Sequence, residues 1–331
     1  MSATPATSST SATSSMSAAS LSSSSLPRDL KKFTARDAHV FAGKLVLCAA
    51  VSVGSAVWIL THDVWTALAG QFVLGVMFAH AVELQHQMLH GTGIRAPRWA
   101  RCVGTALGAP MLVSYTRYRV LHLRHHRFLG TDQDTEFFRY SAGDALTLTA
   151  MGASAFDVRR WAAALRDVVC AVWPGRSYDS GMNRRNRARI QGEYRCMLAA
   201  GVALAGVSVA VERPLVVTLW LVPLVFAEPV HFLIELPEHV LCDRTSPDVF
   251  RNTRTIRGSR FSCWLTNGNN FHVEHHLRMA VPINKLGAVH GEVAGRLENY
   301  CVSYPRFYRT VLAHAWRTQW ARRDGAPRAH P

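Results

Sequence analysis

The sequence predicts an all-α membrane protein, with four transmembrane helices arranged as two hairpins. Three observations carry that fold class. Four almost uncharged apolar runs cover residues 45–62, 64–82, 196–211 and 215–234, each near the length a bilayer demands, the first and third slightly short. The gaps within each pair are tight: Asp63 alone separates the first two runs, and Glu212-Arg213-Pro214 separates the last two. Charge is also segregated. Hydrophobic residues make up 49% of the 331 positions, yet the formal net charge is +15 and the pI about 10.1, so basic side chains must gather outside the apolar runs.

Taken in order, residues 1–29 form a Ser/Thr/Ala-rich tail expected to be disordered. They have neither the positive start nor the apolar core of a secretory signal, and no arginine precedes Arg28, which argues against a plastid transit peptide. One large domain is expected over residues 30–310, followed by a basic C-terminal tail, 311–331. Arg28, Lys31, Lys32 and Arg36 lead into the first run. Residues 102–114 are apolar for only half a span and predict a re-entrant or interfacial segment. Residues 144–170 mix apolar side chains with Arg159, Arg160 and Arg166, as a helix lying on a membrane surface does. The fourth run is interrupted by Pro223, Glu228 and Pro229.

Loop charge sets the expected orientation. The two hairpin tips contain one basic residue, Arg213, whereas segment 85–195 is rich in arginine. The N-terminus, that segment and the C-terminal third are therefore expected to be cytoplasmic. All but four of the 37 basic residues are arginine, the bias of a GC-rich bacterial genome, which makes a bacterial inner membrane the expected location. The seven cysteines have no CxxC spacing and predict neither a disulfide framework nor a zinc ribbon. Nucleic acid is not an expected partner, because the basic residues do not alternate with aromatics and no zinc-finger or glycine-loop pattern occurs.

Chemistry enters through three histidine clusters: His86 and His90 as HxxxH, then His122, His125 and His126, and His272, His275 and His276, both as HxxHH. These spacings put every imidazole of a cluster on one helix face. All three clusters fall on the same predicted side of the membrane. Eight neutral nitrogen donors can hold two metal ions. HxxxH alone is weak evidence in a chain of 16 histidines, but two HxxHH clusters are hard to obtain by accident. Isolated histidines such as His39, His62 and His314 read as interfacial side chains, and His80 as a helix-packing or substrate-channel residue in the second span. Imidazole suits zinc, copper, iron and nickel, but a single zinc would leave half of the donors unused. A dinuclear iron centre that binds dioxygen uses them all. Asp132, Asp134, Glu136 and Glu274 lie close in sequence and are expected partners for the second imidazole N–H of the ligands, Asp132 equally well being a solvated loop acid.

The order of the clusters resembles the membrane fatty acid desaturases. The last is written Asn270-Phe271-His272-Val273-Glu274-His275-His276-Leu277, with Val281-Pro282 after it. Tyr115 and Tyr118 before the second cluster, Gly130-Thr131-Asp132 after it and Asn252-Thr253-Arg254-Thr255 before the third extend the similarity over residues 30–300. The resemblance implies four spans, a cytosolic helical cap holding two Fe ions, and O2-dependent introduction of a double bond into an acyl chain. No catalytic residue beyond the metal ligands is implied. It also implies a ninth histidine between the fourth span and the last cluster, for which His239 and His231 both qualify. His239 is preferred because it lies past the span. Glu235 stands four residues before it, where acyl-CoA desaturases have an Asn that contacts iron through water; here it is a possible ligand or a partner of one.

Such chemistry needs two electrons. The chain has no HPGG haem motif, Rossmann loop or ferredoxin cysteine set, so reduced ferredoxin or cytochrome b5, with its reductase, is expected as a separate partner. Membrane lipids and an acyl-chain substrate, on a lipid or a carrier, complete the expected partners. Hydroxylation or ketolation of an acyl chain or a specialised metabolite uses the same scaffold and stays open. Two other classes stay open as well: a bis-histidine haem cytochrome, which would need opposed histidines inside the spans, and a metal transporter, which would need polar ligands across them.

Overall fold

The computed structural model describes residues 30, 32–136, 146–173 and 182–323. The expected tail 1–29 and residues 324–331 lie outside them. Four helices are long and apolar enough to cross a membrane. The first, α1 (Ala35–Thr61), starts at a capping box in which Thr34 accepts from the Asp37 N–H and Asp37 accepts from that of Thr34. It stops at His62. Asp63 then accepts from the N–H groups of Trp65 and Thr66 and starts α2 (Val64–Leu89), so the joint needs only two residues. Helix α2 continues a full seven residues beyond the apolar run, and that extension buries Glu83, Gln85, His86 and Gln87.

The half-span segment resolves into α3 (Pro97–Gly108), a 3₁₀ turn over Ala109–Met111 and a left-handed Leu112 at φ 52°. Gln85 Nε2 donates to the carbonyls of Gly104 and Val113 and ties this turn to α2. Next comes α4 (Tyr115–Phe128), capped by Ser114. Its first turn also receives a buried carboxylate: Glu193 accepts from the Thr116 N–H at 2.9 Å and from the Ser114 hydroxyl at 2.6 Å. A negative charge at a helix N-terminus is stabilising, and here it fixes the entry of a histidine-bearing helix.

The expected surface helix is two helices, α5 (Leu148–Ala155) and α6 (Val158–Val172), broken at Phe156 and restarted by the Asp157 cap. Residues 144 and 145 lie outside the described residues. Val158, Leu165, Val169 and Val172 of α6 are exposed, and Asp167 forms an ion pair with Arg117 of α4. The third long helix, α7 (Arg184–Ala210), begins well ahead of its apolar run, and the added turns bury Ile190, Glu193 and Tyr194. The fourth opens with a π turn, Val217–Leu221, continues as α8 (Val222–Glu235) and tightens into a 3₁₀ turn, Leu236–Glu238.

Helix α2 lies at the centre, against α1, α3, α4 and α8. Its approach to α8 is set by Gly75. A Cβ there would lie 2.4 Å from the Pro223 carbonyl oxygen and 2.8 Å from Phe226 Cβ. Small residues at such crossings let two backbones come close. Gly75→Val should therefore push α2 from α8 and cost about 3 kcal/mol, the upper end for overpacking because the clash is with backbone. Thermal unfolding in detergent measures this, and an unchanged midpoint would refute the contact.

The remaining described residues follow these helices as mostly short elements. They comprise α9 (Val249–Asn252), β1 (Thr255–Ile256), α10 (Arg260–Leu265), α11 (His272–Leu277), α12 (Leu286–Val293), β2 (Tyr300–Cys301) and α13 (Tyr304–Arg323). The two short strands pair in parallel. Helix α13 runs unbroken across the expected boundary at 310–311, with Val311 and Ala315 buried on it beside Phe307.

Candidate metal centre

The three clusters come together, with His239 among them. Ligand atoms of His86, His90, His122, His126 and His275 lie within 4.8 Å of one another, and those of His125, His239, His272 and His276 form a second such group. His86 sits in the last turn of α2 and His90 just past its end; α4 and α11 supply six more. His239 reaches the second group because the turn Leu236–Glu238 redirects the chain at the end of α8.

The nitrogen spacing suits a bound cation. His122 Nε2 is 2.8 Å from His86 Nε2, 3.0 Å from His90 Nε2 and 3.0 Å from His126 Nε2. An imidazole nitrogen carries one proton or one lone pair, so it cannot bond to three others at once. Around a cation these contacts become natural: with metal–nitrogen bonds of about 2.1 Å, neighbouring octahedral ligands are about 3.0 Å apart. In the second group His272 Nε2 is 3.2 Å from His239 Nε2 and 3.1 Å from His276 Nε2.

Three histidines of the second group have their other nitrogen held. His125 Nδ1 meets Asp134 Oδ1 at 2.8 Å, His239 Nδ1 the Asn252 carbonyl at 2.9 Å, and His272 Nδ1 the Asn269 Oδ1 at 3.1 Å. A proton on Nδ1 directs the Nε2 lone pair inward. Two carboxylates stand on the inward side. Glu136 Oε2 is 3.2 Å from His125 Nε2, and Glu238 Oε2 is 3.1 Å from His272 Nε2. Asn269 Nδ2 donates to the other oxygen of Glu238.

Other expected site residues are elsewhere. Glu274 sits two positions after His272, about 200° around the helix, and its carboxylate accepts from Thr255 Oγ1 at 2.6 Å and meets His290 Nδ1 at 2.5 Å. It locks α11 to β1 and α12 rather than orienting a ligand. Asp132 is exposed. His80 packs on Trp264 and faces the Leu265 carbonyl with Nδ1. His231 and Glu235 form a separate buried group with Glu83, outside both histidine sets. Glu238 is a site residue that sequence reasoning missed. Its one signal was adjacency to His239.

Burial, reinforced by neighbouring imidazoles, holds His90, His122, His126, His272, His275 and His276 well below the usual histidine range, and pushes His239 down to about 4. They are therefore neutral at pH 7, as ligands must be. For His125 burial works the same way, but the Glu136 and Asp134 carboxylates outweigh it and raise the group. The depressed histidines give acid lability. Between the unfolded value of about 6.5 and about 4 for His239, the unfolded chain binds protons that the folded chain does not. Stability is thus present above pH 6.5 and lost as pH falls through that window. Thermal melts of metal-depleted protein at pH 7.5 and 5 should show a lower midpoint at pH 5; a higher one would contradict the assigned neutral state.

Four helices able to cross a bilayer, with two histidine groups able to bind metal gathered beside them, define a metal-binding membrane protein. The fatty acid desaturase family profile matches residues 63–308, and the chain belongs to that family. A comparison with curated proteins gives no match.

Proposed function

We propose that this chain is an O2-dependent di-iron desaturase that introduces a double bond into an acyl chain, lipid- or carrier-linked. The observation that carries the proposal is the pairing of two nitrogen-rich groups, of five and four histidines, in a chain of this family. His86, His90, His122, His126 and His275 would hold one iron, and His125, His239, His272 and His276 the other. When bound, two irons supply from O2 an oxidant able to remove hydrogen from an unactivated C–H bond. Each double bond then consumes one O2, two electrons and two protons, and releases two waters. The electrons come from a separate ferredoxin or cytochrome b5 with its reductase.

The chain's own residues hold and enclose the centre. Asp134, Asn269 and the Asn252 carbonyl orient imidazoles, and the burial of His86, His122, His125, His272 and His275 keeps bulk water out. Glu136 and Glu238 place carboxyl oxygens beside an otherwise all-nitrogen donor set, which changes the electronics of the pair and keeps hydroxylation as the second reading. With the four spans read as two hairpins, the positive-inside rule favours a cytoplasmic active site and cytoplasmic termini, here at a bacterial inner membrane.

Expression in a host with a defined electron donor, followed by mass spectrometry of lipids and acyl thioesters, tests this. Products lighter by two hydrogens are expected. Products heavier by one oxygen would establish the hydroxylase instead, and an unchanged acyl pool with iron-loaded protein would overturn both.

A further inference from the structure

We infer that the chain carries a third metal site, for one divalent transition-metal cation, formed by Glu83, His231 and Glu235. None of these residues belongs to either histidine group. Glu83 lies on α2, and His231 and Glu235 lie four apart on one face of α8. The close α2–α8 crossing at Gly75 and Ala227, one to two turns away, brings the two faces together.

One donor atom from each residue falls within 4.8 Å of the others, and His231 Nε2 is 3.7 Å from Oε1 of both Glu83 and Glu235. All three are buried: Glu83 is 0% exposed, His231 1% and Glu235 8%. No protein N–H or hydroxyl donor reaches either oxygen of Glu83 or Oε1 of Glu235, and the two carboxyl groups face each other. Among the described residues no lysine or arginine pairs with either carboxylate; Arg160, on α6, is held by Glu228.

Two carboxylates buried between apolar helices are costly without a counter-charge. A dication cancels both, and the imidazole adds a neutral donor. For metal–ligand bonds of about 2.1 Å, a tetrahedral edge is about 3.4 Å, near the observed spacing. One nitrogen and two carboxylates suit Zn(II), Fe(II) or Mn(II), whereas Ca(II) would require six or more oxygens. With three protein ligands the fourth position is open.

The test is metal content per chain together with element-resolved anomalous diffraction on the full-length protein, grown with iron and zinc in the medium. Three metals are expected in the wild type. The isosteric double variant Glu83→Gln/Glu235→Gln should hold two, both in the histidine groups. Wild-type protein with metal only in the two histidine groups would overturn the third site and leave the desaturase reading standing. Metal at the trio with none at the histidines would do the opposite. A double variant that loses metal from the histidine groups as well would make these residues part of that centre and overturn a separate site. If the double variant does not fold, the wild-type anomalous maps decide alone.

Discussion

Replacing His125 by Ala should abolish turnover and strip metal from the second histidine group. His125 is 2% exposed, its Nδ1 is engaged by Asp134, and its Nε2 points to the same space as His239, His272 and His276. Alanine removes one of four nitrogens from that group and leaves Asp134 and Glu136 beside an apolar gap, with less positive charge to offset them. Loss of a group that merely orients a ligand costs about 10–100-fold in metal affinity or activity. Loss of the ligand itself should exceed about 100-fold, and Asp134→Asn should fall inside the smaller range. Product mass spectrometry and iron per chain measure both, with the thermal midpoint as a control for folding. Full activity with unchanged iron in His125→Ala would refute its assignment as a ligand.

What the sequence made readable here was local. HxxHH is a statement about helix phase, and the structure puts His122, His125 and His126 on α4, and His272, His275 and His276 on α11, inside the two groups. The spans were readable for the same reason, since an apolar run needs no knowledge of its neighbours. Their ends were not. Helix α2 continues past Val82, and α7 starts before Cys196, because those polar turns are buried by other elements. Glu83 and Glu238 stayed hidden for that reason: each acquires its setting from a helix or turn far away in sequence. Glu274 is a different case. Two residues on from His272 it lies on the opposite helix face, so helix phase, not nearness in sequence, decides its partner, Thr255.

His239→Ala should cost far more activity and bound iron than His231→Ala. Both histidines lie between the start of α8 and the third cluster, and both were eligible from sequence as the ninth ligand. The structure separates them through one turn. Pro237, within the 3₁₀ turn Leu236–Glu238, ends the helical path of α8, and the first residue after the turn, His239, swings toward α4 and α11. Its Nε2 then lies 3.2 Å from that of His272, its ring centroid 5.0 Å from that of His125, and its Nδ1 is held by the Asn252 carbonyl. His231 stays on α8, against Glu83 and Glu235. Removing His239 deletes a quarter of the second group's nitrogens, so a loss beyond about 100-fold is expected, larger than an orienting partner causes. Removing His231 leaves all nine histidines in place, so both irons should remain and turnover should fall less. The comparison is read as product per iron-loaded chain and as iron per chain. The reverse ranking would mean that α8 does not end where this turn ends it, and that His231, with Glu235 one helical turn on, is the true ninth donor.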